Sequence, residues 1–156
     1  MTDTKHLYTH RVAVNTYLIR DNRFLMLKRS QSPQIWSPPG GRLRLDEDPM
    51  KGLIREVKEE TQLNIKVVAP VNIWFGIWQQ NWLLSIDYLA YSKAGEIILS
   101  EEHNDYRWVS LQEIEKGVPV KLDPQVGFKL SDFQEAWKMH LYQHDSGQIL
   151  DIMCGK

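Results

Sequence analysis

The sequence predicts a mixed α/β domain. Three observations predict it: strand-like stretches lie both before and after one strongly acidic helix, a second helix closes the chain, and no repeat, low-complexity tract or linker divides it. The 156 residues suffice for one domain with its own core and are too few for two ordinary ones. The chain therefore reads as a single domain over 1–156, with its core over about 10–144.

The first strand is HRVAVNTYLIR, His10 to Arg20, rich in β-branched and apolar residues. Asp21, Asn22 and Arg23 turn the chain into a second strand, FLMLKRS. SQSPQIWSPPGG follows, a loop by its serine, proline and glycine content, and GRLRL is a short strand leaving it. Asp48 is the expected N-cap of a helix with Pro49 in its first position. Met50, Leu53, Ile54 and Val57 recur at i, i+3, i+4, i+7, one apolar stripe. NIKVVAPVNIWFGIWQQ and NWLLSIDYLAYSK are two long strands joined by a hairpin turn at Gln79, Gln80 and Asn81. DYRWVS is a further strand and LQEIEKG a short helix. SDFQEAWKMHLYQ is the closing helix, with Ser131 as its expected cap and Phe133, Trp137 and Leu141 on one face.

Formal net charge is −1, which argues against a broad nucleic-acid or membrane-binding surface. The N-terminus MTDTKHLYTHR lacks the apolar core of a signal peptide, and no apolar run is long enough to span a bilayer. Cys154 is the only cysteine, so no internal disulfide forms, and it is read as incidental rather than reactive. A cytoplasmic setting fits these features best.

The helix ends on REVKEETQL, which places Glu56, Glu59 and Glu60 together near its negative end. Like charges four apart repel by about 0.2–0.5 kcal/mol per pair. Carboxylates in a last turn cost a further 0.3–1 kcal/mol each, roughly, against the macrodipole. A sequence that breaks local rules in this way often marks a function. At about 100° per residue the three lie within one third of the helix circumference, beside the apolar stripe. They can converge on one point, and a hard divalent cation suits them better than one arginine. Such a cation polarises phosphate and acidifies water, chemistry suited to hydrolysis of a phosphate ester or anhydride. A merely solvated acidic face is the competing reading of these charges taken alone.

The upstream spacing decides between them. GRLRLDEDPMKGLIREVKEETQL runs glycine, five residues, glutamate, seven residues, Arg-Glu, an apolar residue, any residue, Glu-Glu. The matching positions are Gly41, Glu47, Arg55, Glu56, Val57, Glu59 and Glu60, with Leu63 closing. This resembles the signature box of the Nudix hydrolase family. The similarity extends to IWSPPGG before the box and YRWVSL after it, roughly residues 10–116. Gln62 stands where the box usually has glycine, and Arg44 and Asp46 replace residues that are commonly Glu and Gly.

The resemblance implies a mixed β-sheet sandwiched between helices (α/β/α), with the box forming loop, helix and loop. It implies that Glu56, Glu59 and Glu60 hold Mg²⁺ or Mn²⁺ with the backbone carbonyl of Gly40. Arg55 would orient these carboxylates, and Glu47 would support them from behind. A further carboxylate is expected from LSEEHNDYRW, which offers Glu101, Glu102 and Asp105. Glu102 is the expected extra ligand or general base, and the sequence leaves the base open between Glu56 and Glu102. Lys28, Arg29, Arg42 and Arg44 flank the box and are candidates for substrate phosphates. Trp74 and Trp78 share one side of a strand; with Trp82 they suit base stacking, a subunit interface or core packing. His140 and His144 share a helix face but lack a third ligand, and are read as surface residues.

The expected activity is Mg²⁺-dependent hydrolysis of a phosphoanhydride in a nucleoside diphosphate linked to another group. The MutT-like nucleoside-triphosphate group is favoured by the compact chain. The alternatives are ADP-ribose or another dinucleotide or nucleotide sugar, a non-catalytic nucleotide-binding module, and an RNA-end hydrolase, which near-zero charge disfavours. Family habit and the tryptophan-rich strands suggest a homodimer.

Overall fold

A computed structural model describes residues 9–125 and 127–153. Cys154 and most of the polar N-terminal segment lie outside the described residues. The elements are β1 (Arg11–Arg20), β2 (Arg23–Arg29), β3 (Trp36–Ser37), β4 (Gly40–Arg42), α1 (Pro49–Thr61), β5 (Lys66–Trp78), β6 (Asn81–Tyr91), β7 (His103–Val109), α2 (Leu111–Lys116) and α3 (Leu130–Met153).

The sheet is mixed, as expected. β1 runs parallel to β6 over nine residue pairs, Arg11↔Leu83 to Ile19↔Tyr91. β5 is antiparallel to β6 and forms one edge. On its other side β1 splits its pairing: its N-terminal half takes β4, and its C-terminal end takes β2. β2 carries β3 and β7. Both hairpin loops are two residues long with positive φ at each position, Asp21–Asn22 (49° and 59°) and Gln79–Gln80 (47° and 66°). That conformation matches the right-handed twist of the strands it joins. β3 lies within the stretch read from sequence as loop.

Strand alternation sends side chains to two cores. On one face Val14, Leu18, Leu25, Leu27, Tyr88 and Ala90 pack under Leu53 and Val57 of α1. On the other, Tyr17, Ile19, Phe24, Met26 and Leu89 pack under Ile114 of α2 and Phe133 and Ala136 of α3. The result is an α/β/α sandwich. Among the described residues no helix is long and apolar enough to cross a membrane.

Three helix expectations need correction. In α1, Met50 and Ile54 are each 43% exposed, and the buried side is Gly52, Leu53, Val57, Glu60 and Thr61. The helix is rotated from the expected stripe because Glu60 turns inward and Gly52 sits too close to Leu43 and Glu47 to carry a side chain. In α3, Ser131 lies inside the helix, and Asp132 accepts from the Lys129 backbone N–H at its start. Leu141 is exposed; Phe133, Ala136 and His140 form the buried face. His140 is thus a core residue, bonded to the Tyr91 hydroxyl (2.9 Å) and to Asn22 (3.1 Å), while His144 is exposed.

Candidate active site

The box is held as a rigid unit by its own sequence. Asp48 caps α1, accepting from Lys51 N–H at 3.0 Å, and Pro49 opens the helix. At the far end Gln62 adopts the left-handed conformation (φ 63°) that glycine would hold without strain. Its N–H bonds the Lys58 carbonyl at 2.9 Å, closing the helix despite the substitution.

Gly40 and Gly41 lead into the helix from β4, and both need to be glycine. A Cβ on Gly40 (φ 156°) would strike the Val14 carbonyl and Asn15, and one on Gly41 would strike the Glu56 carboxyl group. This close approach lets Gly40 N–H donate to Glu60 Oε2 at 3.0 Å. Glu60 is otherwise buried, 4% exposed. Burial pushes its carboxyl well above the usual carboxylate range; the Gly40 N–H opposes this, and Glu56, Glu102 and Glu59 add repulsion. Glu56 is raised too, first by burial, with Arg55 opposing and Glu59 and Glu102 reinforcing.

Arg55 is the hub behind these carboxylates. Its guanidinium donates through Nε and Nη2 to both Glu47 oxygens (2.6 and 2.8 Å). Nη1 donates to Glu56 at 2.9 Å and Glu59 at 3.1 Å, and Nη2 reaches the Arg42 carbonyl at 3.3 Å. Glu47 is held down to about 2 by the Arg55 bonds and by Arg44 N–H. Arg55 is driven above its ordinary value, chiefly by Glu47. The arginine fork thus fixes three carboxylates at once, which one point charge could not.

The segment before β7 is pinned beside this cluster. Ser100 N–H bonds the Glu60 carbonyl at 3.3 Å, and Ser30 bonds the carbonyls of Glu101 (2.6 Å) and Glu102 (2.9 Å). Ligating atoms of Glu60, Glu102 and His103 lie within 4.8 Å of one another. His103 Nε2 stands 3.9 Å from Glu60 Oε1, and its Nδ1 is buried without a hydrogen-bond partner. Burial lowers the His103 pKa, with Glu102 opposing and Arg29 reinforcing. Buried Glu60 and half-buried Glu56, which repel each other and are both raised in pKa, stand with Glu102 and with an imidazole that has one buried nitrogen without a partner; this donor set fits a divalent cation.

One cavity of about 580 Å³ gathers most of the candidate residues. Its lining includes Gly40, Glu60, Glu102 and His103, together with Arg29, Arg42, Trp74, Trp78 and Phe128. Arg29 has a buried, unpartnered Nε, and its guanidinium carbon lies 5.7 Å from the centre of the Trp78 ring. Trp74 lies against Gly76 and Gly127, where any side chain would collide with its ring.

Not every candidate reaches the cavity. Glu59 is half exposed and tied to Arg44 at 3.0 Å; Arg44 lines a separate shallow depression with Trp82. Lys28 lies 6.0 Å from the centre of the Trp36 ring and does not line the cavity. Asp105 pairs with Arg107 at 3.3 Å. Trp82 stacks on Phe75 (5.3 Å, 11°) away from Trp74 and Trp78.

The cavity also holds residues that sequence reasoning passed over: His103, Phe128, and a polar trio of Asn15, Ser85 and Asp87. For the trio a signal existed. VAVNTYLI and LLSIDYLA each place a polar residue within an apolar strand, at a parity that sends it inward. For His103 only burial reveals the role, and burial is not written in LSEEHNDYRW.

A family model for the NUDIX domain matches residues 9–127. A MutT-like protein of Streptomyces ambofaciens is 25% identical over 90% of this chain and 88% of its own length. An ADP-ribose pyrophosphatase of Methanocaldococcus jannaschii is 27% identical over 70% of this chain and 68% of its own. Among solved structures, a MutT protein from Methanosarcina mazei Go1 superposes with a TM-score of 0.71 at 25% identity, covering 83% of this chain and 94% of that one.

Proposed function

The chain belongs to the Nudix family of hydrolases that act on nucleoside diphosphate derivatives, and from that premise we propose that it hydrolyses a nucleoside triphosphate to the monophosphate and pyrophosphate. Glu56, Glu60 and the Gly40 carbonyl would hold Mg²⁺, with Mn²⁺ as substitute; Glu59, expected from the sequence to join them, stands outside the cavity tied to Arg44 and would reach the ion only on leaving that arginine. The observation that carries the reading is one cavity lined both by the Glu60–Glu102–His103 cluster and by the rings of Trp74, Trp78 and Phe128. Such a cavity suits a substrate with phosphates at one part and a planar base at another. When bound, the metal supplies charge stabilisation to phosphate oxygens and makes water more acidic.

The protein's own groups do the rest. Arg29 and Arg42 bind phosphate oxygens. Arg55 and Glu47 hold the box carboxylates in place, so little reorganisation is needed as charge develops. Glu102 takes the proton from the attacking water: it lines the cavity, and no described side chain donates to its carboxylate, whereas Glu56 is already engaged by Arg55. Arg44 acts indirectly by holding Glu59.

The second reading is ADP-ribose or another nucleotide carrying a sugar, favoured by the M. jannaschii relative and by the polar trio in the cavity. The wider proposal includes a cytoplasmic setting and a homodimer. The dimer is supported by an apolar sheet face in which Ile73, Phe75, Ile77 and Trp82 are more than half exposed; sedimentation as a monomer at high micromolar concentration would remove it.

The direct test is pyrophosphate and phosphate release from nucleoside triphosphates, ADP-ribose and nucleotide sugars with Mg²⁺, beside Glu60→Gln. The expected result is turnover of the triphosphates that the variant loses. Undiminished Mg²⁺-dependent turnover in Glu60→Gln would place the reaction elsewhere.

A further inference from the structure

Asn15 on β1 and Ser85 and Asp87 on β6 form a closed hydrogen-bond trio on the cavity wall. Asn15 Nδ2 donates to Ser85 Oγ at 2.7 Å and to Asp87 Oδ1 at 3.1 Å, and Ser85 Oγ donates to Asp87 Oδ1 at 2.6 Å. Both Asn15 Nδ2 hydrogens and the Ser85 hydroxyl hydrogen are thereby used, which leaves acceptor sites open. Asp87 Oδ1 takes two bonds, while Asp87 Oδ2 and Asn15 Oδ1 take none from a described residue. Asp87 is 2% exposed, and no described cation pairs with it. A buried acid in that state is rare unless something completes its shell.

The parallel register places Asn15 directly beside Asp87, so the trio also ties the two central strands. That tie needs only one carboxylate oxygen. The remaining acceptors belong to residues that line the cavity, as Leu83 and Trp74 also do. Their position within it is set by Gly40: Asn15 Oδ1 occupies the space that a Gly40 side chain would take, and Gly40 N–H holds Glu60. Through Gly40 the trio therefore adjoins Glu60, and a group attached to a phosphate held there would lie within its reach.

Resting on the nucleotide reading of the cavity, we propose that Asp87 and Asn15, locked by Ser85, form a subsite that accepts two neighbouring O–H or N–H donors from the substrate beyond its phosphates. A vicinal diol of a sugar ring supplies such a pair, as does an amino-bearing edge of a base. The shared requirement is donors: acceptor-only groups leave the subsite unsatisfied. Fixed polar groups of this kind discriminate strongly, because a ligand lacking the partner leaves them buried and unpaired.

The test is calorimetric binding, which does not depend on turnover. Wild type and Asp87→Asn are titrated with α,β-methylene nucleoside triphosphates as parent, 2′-deoxy, 3′-deoxy and base-deaminated forms. A second arm uses nucleotide sugars that differ by single hydroxyls on the distal sugar. In the wild type, removing one of the paired donors is expected to weaken binding by about tenfold or more. In Asp87→Asn that same removal should matter by less than about threefold. The arm that shows the loss names the source: ribose, base or distal sugar. Wild-type affinity that falls less than twofold for every donor deletion overturns the proposal, as does an Asp87→Asn penalty equal for all ligands. A protein that binds these analogues with the expected pattern but fails to hydrolyse nucleotides would refute the reaction above and leave the subsite standing.

Discussion

Glu60→Gln should make the metal-free protein more stable while abolishing its response to metal. Glu60 is 4% exposed and accepts one backbone hydrogen bond, from Gly40. Glutamine can still accept that bond. What it removes is a buried ionisable group whose charge is opposed by burial and by Glu56, Glu102 and Glu59. The folded pKa is raised above the ordinary value near 4.5. The unfolded chain therefore ionises first as pH rises, and native stability falls from about pH 4 upward until the folded carboxyl also ionises. At pH 8 without metal, the variant should gain about 1–3 kcal/mol, the usual cost of a poorly compensated buried polar group. For a chain of this size that is about 2–4 °C of Tm per kcal/mol. The two proteins should converge near pH 4, where both carry a neutral side chain. Metal reverses the order. At one hundred times Kd, Mg²⁺ adds about 2.7 kcal/mol to the wild type and little to the variant. Urea denaturation across pH 4–8, in chelator and in excess Mg²⁺, measures all of this. A wild type more stable than Glu60→Gln in chelator at pH 8 would refute the view that function imposes strain here.

Three further outcomes follow from the same geometry. Arg55→Lys keeps the charge but loses the fork that grips Glu47 and Glu56; kcat/KM and Mg²⁺ affinity should fall about 10–100-fold, and equal Mg²⁺ activation curves would count against the hub role. Gly41→Ala pushes its methyl into the Glu56 carboxyl; metal titration should weaken by a comparable factor while circular dichroism stays native, and an unchanged Mg²⁺ dependence would disprove the close approach. Gln62→Gly relieves a left-handed residue at the end of α1 and should raise the unfolding free energy by roughly 0.5–1 kcal/mol, with the denaturant midpoint as readout; a loss of stability would mean the Gln62 side chain matters more than its backbone.

Much of the frame was legible because it depends on local chemistry. Asp48 and Pro49 announce the start of α1, and the spacing from Gly41 to Glu60 places the loop and helix of the box without any tertiary information. The turn at Gln79 and Gln80 follows from the strands on either side. Where local signals stop, the expectations slip. Met50 and Ile54 fit the apolar stripe of α1 as well as Leu53 does, yet they face solvent. A buried glutamate rotates the helix, and no hydrophobic pattern encodes a glutamate facing inward. His140 carries no mark of burial in its neighbours, and only the packing of α3 against Tyr91 and Asn22 supplies its partners.

By itself the sequence determined the family, the α/β class and the set of carboxylates and arginines from which the site is drawn, since these follow from residue type and spacing along one helix and its entry loop. Only the tertiary structure decided which of them share a cavity. It turned Glu60 inward and left Glu59 outside with Arg44, and it brought His103 from β7 and Asn15 and Asp87 from the central strands to the same wall. The physical reason is range. Capping, turn formation and helical spacing act within a few residues, whereas convergence across a sheet depends on strand order and register, which are settled by burial summed over the whole chain.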